Sequence, residues 1–184
     1  MKMNRLVWIA VCLALTTGCG AAVKKEPLSP GARYGVTIRY GETGVKGTLS
    51  LYANGDYTFQ CKDPSSPLFG LKESVRDGAY RSEFEGIAPA REKMPVTARL
   101  LRETLQKLEA EPEIRETELA LIDGKECLKR RVTLENGSAD LWLNEDEGKP
   151  VLLEIEGGAV KMTLRFSENN TGEIPYTETA DLSE

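Results

Sequence analysis
Val151-Leu-Leu-Glu-Ile-Glu-Gly157-Gly158-Ala-Val160-Lys-Met-Thr-Leu-Arg-Phe166 is the stretch whose reading decides the fold. From Val160 onward apolar residues alternate with polar ones up to Phe166, the period of a half-buried strand. Gly157-Gly158 ahead of it supplies the positive φ angles of a two-residue hairpin. With that pair as the turn, Ile155 faces Val160, Leu153 faces Met162 and Val151 faces Leu164. The other face then pairs Glu154 with Lys161. An antiparallel hairpin with one apolar face follows.

The same signal recurs along the chain, at Asn54-Gly55, Asp77-Gly78, Asp123-Gly124 and Asn136-Gly137. With Asn136-Gly137 as a turn, Leu134 faces Ala139 and Val132 faces Leu141. Leu141 and Leu143 then share parity with Val151 and Leu153 across the turn at Asp146-Glu147-Gly148. Three successive turns thus keep one apolar face on one side, as a meander requires. The first hairpin is less tidy. A two-residue turn at Asn54-Gly55 sets Leu49 and Leu51 against Thr58 and Gln60, so either both faces are covered or the register shifts.

One helix interrupts the strands. Pro95 suits a first helical position, and Val96, Leu100, Leu101, Leu105 and Leu108 recur at helical spacing to about Ala110. Pro112 ends it. About five strands precede it and about five follow. The predicted class is α+β: a curved, open antiparallel sheet, a half-barrel, packed on one amphipathic helix.

The N-terminus carries an address. Met1-Lys-Met-Asn-Arg5 is basic, Leu6–Leu15 is an apolar run too short to span a bilayer, and Thr16-Thr17-Gly18-Cys19 follows. LTTGC resembles the lipobox of bacterial lipoproteins, with Thr16 where that family usually has an aliphatic residue. The resemblance implies a diacylglyceryl thioether on Cys19 and removal of residues 1–18. The expected layout is signal peptide 1–18, lipidated flexible tether 19–33, folded domain 34–167 and acidic disordered tail 168–184. A membrane tie through Cys19, on the extracytoplasmic face, follows. In a two-membrane host, Gly20 would permit outer-membrane sorting.

Charge and composition exclude several functions. The chain has 24 basic and 29 acidic residues and no histidine. Loss of residues 1–18 removes Lys2 and Arg5, leaving a net charge of −7 and no dense basic block. Nucleic acid is therefore not an expected partner. Without histidine there is no Ser-His-Asp or Cys-His pair and no imidazole-ligated metal. No cofactor motif occurs. Cys61 and Cys127 remain after maturation, as a disulfide or as two separate thiols.

Two stretches carry a wider resemblance. One holds Tyr57, Phe59, Pro67, Gly70, Leu71, Asp77, Gly78, Tyr80, Phe84, Gly86 and Ile87. The other holds Ala139, Leu141, Trp142, Leu143, Gly148, Pro150, Ile155, Leu164 and Phe166. Together they resemble the LolA/LolB-like lipoprotein-carrier fold, nearest to small lipoproteins of Firmicutes and more distantly to the germination lipoprotein of clostridia. A Pro- and Gly-containing tether stands where true carriers have a long amphipathic helix. The resemblance implies a non-catalytic envelope protein that binds a protein partner or an apolar or lipid ligand, with the protein partner favoured.

Two candidate sites follow from the sequence. Trp142 lies on the polar parity of its strand, with Arg131 opposite and Leu152 alongside, as a partner-binding patch or as a locally packed cap. Tyr57, Phe59, Tyr80 and Phe84 are candidates for an apolar pocket or for plain core. Carboxylates cluster at Glu145-Asp146-Glu147, at Glu109, Glu111 and Glu113, and at Glu116 and Glu118. Paired carboxylates define the alternative function, a cell-wall glycan hydrolase.

Overall fold
The computed structural model of the chain describes residues 28–88, 93–110, 118–167 and 172–173. Five strands come first: β1 Ala32–Tyr40, β2 Thr43–Leu51, β3 Tyr57–Cys61, β4 Lys72–Arg76 and β5 Ala79–Glu83. Helix α1, Val96–Ala110, follows. Then come β6 Glu118–Ile122, β7 Lys125–Leu134, β8 Gly137–Asn144, β9 Pro150–Gly157 and β10 Val160–Phe166. A two-residue β11, Gly172–Glu173, pairs with Ala32 and Arg33 at the start of β1, inside the segment read from sequence as tail. All are antiparallel in one open sheet, ordered β5-β4-β3-β2-β1-β10-β9-β8-β7-β6. Neighbours in that order are neighbours in the chain, except where β1 meets β10.

The helix fills the inner face of the sheet. Leu100, Leu101, Leu105 and Leu108 are buried beneath it, together with Ala98 and Thr104. They share a core with Val36, Ile38, Leu49, Leu51, Tyr57, Phe59, Leu141, Leu153, Ile155, Met162 and Leu164. Thr104 donates its hydroxyl to the Leu100 carbonyl, so its polar atom is satisfied inside the helix. At the helix end, Arg130 points inward from β7, buried, and donates from Nη2 to the Leu108 carbonyl at 3.2 Å. A cation there satisfies an orphan carbonyl and favours the negative end of the helix dipole. Leu105→Ala should cost about 2–4 kcal/mol in stability. An unchanged melting temperature in that variant would mean that the helix is not seated on the sheet.

The turns divide into two kinds. Asp77-Gly78 and Asp123-Gly124 are two-residue turns with both residues at positive φ, as predicted. At Asn136-Gly137 and Gly157-Gly158 the turn slides by one residue. Gly157 faces Val160 and Met162 faces Ile155, so the turn lies at Gly158-Ala159. Gly137 faces Leu134, so the turn before it lies at Glu135-Asn136. The reason is packing. A Cβ on Gly157 would sit 2.6 Å from Leu100 Cδ2, and one on Gly137 would sit 1.9 Å from the Glu156 carbonyl oxygen. These glycines make room for a neighbour rather than bend the chain. Inward parity survives, because moving a two-residue turn by one position shifts the strand pairing by two residues.

The first hairpin resolves differently. Its connection is five residues long, with the Tyr52 amide donating to the Asp56 carbonyl. Leu51 then faces Tyr57, Leu49 faces Phe59 and Gly47 faces Cys61, all on the inner side. The Asp56 carboxylate is buried and accepts from the Asp77 amide at 2.6 Å and from Arg102 Nε at 3.1 Å. That acid locks the turn onto the helix. Another departure is at Val151: Trp142 faces Leu152 but Leu143 faces Pro150, so Val151 is the extra residue of a bulge and not a partner of Leu164.

Candidate functional site
The outer face of the sheet, away from the helix, divides into two unlike halves. On β6–β10, charges are matched across strands. Lys161 meets Glu156 at 2.6 Å, as its register dictates. Arg131 grips Asp140 through two 2.7 Å hydrogen bonds. Lys129 reaches Glu118 at 2.9 Å and Asp140 at 3.4 Å. Arg165 pairs with Asp123. Burial works to raise the carboxyl of Asp140, but Arg131 and Lys129 outweigh it and hold that group below its ordinary range.

Within this half lies a small second core. Trp142, Leu152 and Cys127 are buried together, with Ala120, Ile122 and Val151 packed around them. The indole is 7% exposed, donates from Nε1 to Glu154 Oε2 at 3.2 Å and lies 5.1 Å from Lys129 Nζ. Lys129, not Arg131, stands opposite Trp142. The sequence-predicted patch of Trp142, Arg131 and Leu152 is thus not brought together as an exposed surface. β6 supplies the cover, and the slipped register sends Arg131 to Asp140. Cys127 faces this outer core whereas Cys61 faces the inner one, and both are buried free thiols. A sheet stands between them, which excludes their bridging.

The four aromatic candidates also part company. Tyr57 and Phe59 are buried in the inner core, and Tyr80 is half-buried against it. Phe84 is 38% exposed in a one-residue bridge to Ile87. Burial, with Glu73 nearby, pushes the Tyr57 hydroxyl above its ordinary range. Tyr57, Phe59 and Tyr80 belong to the same core as the helix leucines. Among the candidate carboxylates, Glu147 pairs with Lys149, Glu109 accepts from the Gly55 amide and Glu118 pairs with Lys129. Glu111, Glu113, Glu116 and Cys19 lie outside the described residues.

The other half of the outer face holds a cleft of about 830 Å³ over β2–β5. Alternation places Thr48 and Ser50 of β2, Thr58 and Gln60 of β3, and Lys72 and Ser74 of β4 on this face, because their neighbours point into the core. Register sets them in rows. Arg33, Ser50, Thr58, Ser74 and Arg81 follow one another across five strands. Thr48, Gln60, Lys72 and Glu83 form the next row. The lining includes five cations, Arg33, Lys62, Lys72, Arg76 and Arg81, against one carboxylate, Glu83. None of the five forms an ion pair among the described residues, in contrast with the opposite half. Arg33 Nε donates to Ser50 Oγ at 3.4 Å, and the Arg76 guanidinium lies 3.0 Å from the centre of the Tyr52 ring. A second cavity, about 430 Å³, has in its lining the ion pairs of Arg165 with Asp123 and Lys149 with Glu147.

Sequence reasoning passed over this cleft. Its only signal is the polar parity of β2–β5, where cations outnumber acids.

No protein-family model matches the chain, and no curated protein does. Among solved structures it is similar to LprF from Mycobacterium bovis, at 11% identity over 78% of this chain and 87% of that one, with a TM-score of 0.41. It is similar also to an uncharacterized conserved protein from Thermus thermophilus, at 12% identity over 85% of each chain, with a TM-score of 0.47. The lipoprotein LppX of Mycobacterium tuberculosis shares 15% identity over 88% of this chain and 92% of its own, with a TM-score of 0.40. At such scores these likenesses carry no weight for function.

Proposed function
We propose that the protein is a non-catalytic binding protein, tethered through lipid on Cys19 to the extracytoplasmic face of the cell membrane, with the outer-face cleft as its binding surface. The observation that carries this reading is the asymmetry of that face. Cations on β7 and β10 are held in ion pairs, whereas among the described residues none of the five around the cleft is, in a chain whose net charge is −5. Charges left unpaired around a concavity attract a ligand of opposite sign. An apolar ligand is less well served, since helix leucines fill the inner face. The tether is read from residues 1–19, whose basic, apolar and small-residue segments end on a cysteine. In a two-membrane host the same lipid would suit either membrane.

One experiment addresses both halves of the proposal. Cys19→Ala should leave the chain unacylated and either uncleaved or released from the membrane, because no other membrane signal is evident in the mature sequence. The freed protein should still sediment with isolated cell envelopes at low ionic strength. Adding Lys72→Glu with Arg81→Glu should abolish that sedimentation. A Cys19→Ala protein that has lost residues 1–18 and still survives a high-salt wash on the membrane sinks the anchor. Sedimentation indifferent to the double charge reversal sinks the cleft.

A further inference from the structure
We infer that the ligand of the outer-face cleft is an anionic glycan, a sugar polymer bearing carboxylate or phosphate groups. The inference rests on the binding reading above and names the chemistry of its ligand.

Charge gives the first constraint. Five cations against one carboxylate call for a polyanion, and Arg33 and Arg81 close opposite ends of one cross-strand row. That row crosses four strand spacings, roughly 19 Å at about 4.8 Å each. A single small anion cannot touch both ends, so the ligand is an extended chain.

The floor gives the second. Between the two arginines lie Ser50, Thr58 and Ser74, and beside them Thr48 and Gln60. Hydroxyl and amide groups both donate and accept, which suits a ligand rich in hydroxyls. Guanidinium groups take carboxylate or phosphate in bidentate fashion.

What the lining lacks gives the third. A protein partner is held by aromatic and aliphatic anchors in dry pockets, and an acyl chain needs apolar walls. Tyr52 and Ala88 are the lining's only residues of that kind, and Arg76 already covers a face of the Tyr52 ring. Sugars need no such anchor when their charges and hydroxyls are met.

The test uses the Cys19→Ala chain at low ionic strength, with polygalacturonate as the carboxylate glycan, phosphomannan as the phosphate glycan and dextran as the neutral one. At least one anionic glycan should bind, and dextran should not. Lys72→Glu with Arg81→Glu should weaken binding about tenfold or more. Lys161→Glu with Arg165→Glu makes the same charge change on the matched half and should leave affinity within about twofold. Far-ultraviolet circular dichroism establishes that both variants are folded. Equal weakening by the two double variants would reduce the effect to net charge and overturn the inference. So would dextran binding as tightly as the acidic glycans. Poly-glutamate or phosphatidylglycerol vesicles binding as tightly, with the same dependence on Lys72 and Arg81, would overturn the glycan class yet leave the cleft as a binding surface. If no glycan binds while envelope sedimentation still requires the cleft, this inference falls and the binding reading stands.

Discussion

Trp142→Ala should destabilise the protein by about 3–5 kcal/mol, the usual cost of removing a large buried aromatic. The indole joins Cys127 and Leu152 in the outer-face core and donates a hydrogen bond to Glu154. Truncation would empty most of that core and loosen β6, whose Ala120 and Ile122 pack on it. Because this core is remote from the cleft rows on β1–β5, envelope sedimentation of the folded fraction should not change. Thermal and urea melts beside the sedimentation assay separate the outcomes. An unchanged melting temperature with lost sedimentation would restore Trp142 as a contact residue.

Gly137→Val should be as severe, above about 3 kcal/mol, for a different reason. Overpacking usually costs about 1–3 kcal/mol because side chains can give way. Here the obstacle is backbone: the Glu156 carbonyl oxygen at 1.9 Å and Gly157 Cα at 2.8 Å from the new Cβ. β8 and β9 would have to part where Gly137 and Gly157 face each other. Gly158→Ala makes the comparison. Its φ is +60° with open space around it, so only backbone strain of about 1–2 kcal/mol is expected. Equal melting temperatures for the two variants would mean that Gly137 serves a turn after all.

These two residues also mark how much could be read in advance. The helix was legible to within one residue, since its leucine spacing and Pro95 need no tertiary information. The inner face of β7–β10 was legible too, because alternation fixes parity whatever the register. Register itself was not. A glycine pair signals a turn and a close approach in the same letters, and only the neighbouring strand or helix decides which. The Arg131 assignment failed for that reason. Trp142 was placed on the correct face but its exposure was left open between a patch and a packed cap, because its cover comes from β6 and from the bulged Val151. The cleft is a harder case. Its residues alternate in plain view, yet its concavity and its excess of cations over acids depend on which strands become neighbours.

The strand order carries a consequence for how the chain acquires its shape. Every pairing within β1–β5 and within β6–β10 joins strands adjacent in sequence, so each half can zip up as a series of local hairpins. The seam is different: Val36 meets Phe166 and Tyr40 meets Met162 across nearly the whole domain. Loop-closure entropy makes such long-range docking the slow step. Until β10 is available, β1 presents an unpaired edge, the kind of surface that recruits stray strands. A chain that emerges N-terminus first exposes β1 first and completes β10 last. The period of greatest risk is therefore the interval between the appearance of β1 and the closing of the seam.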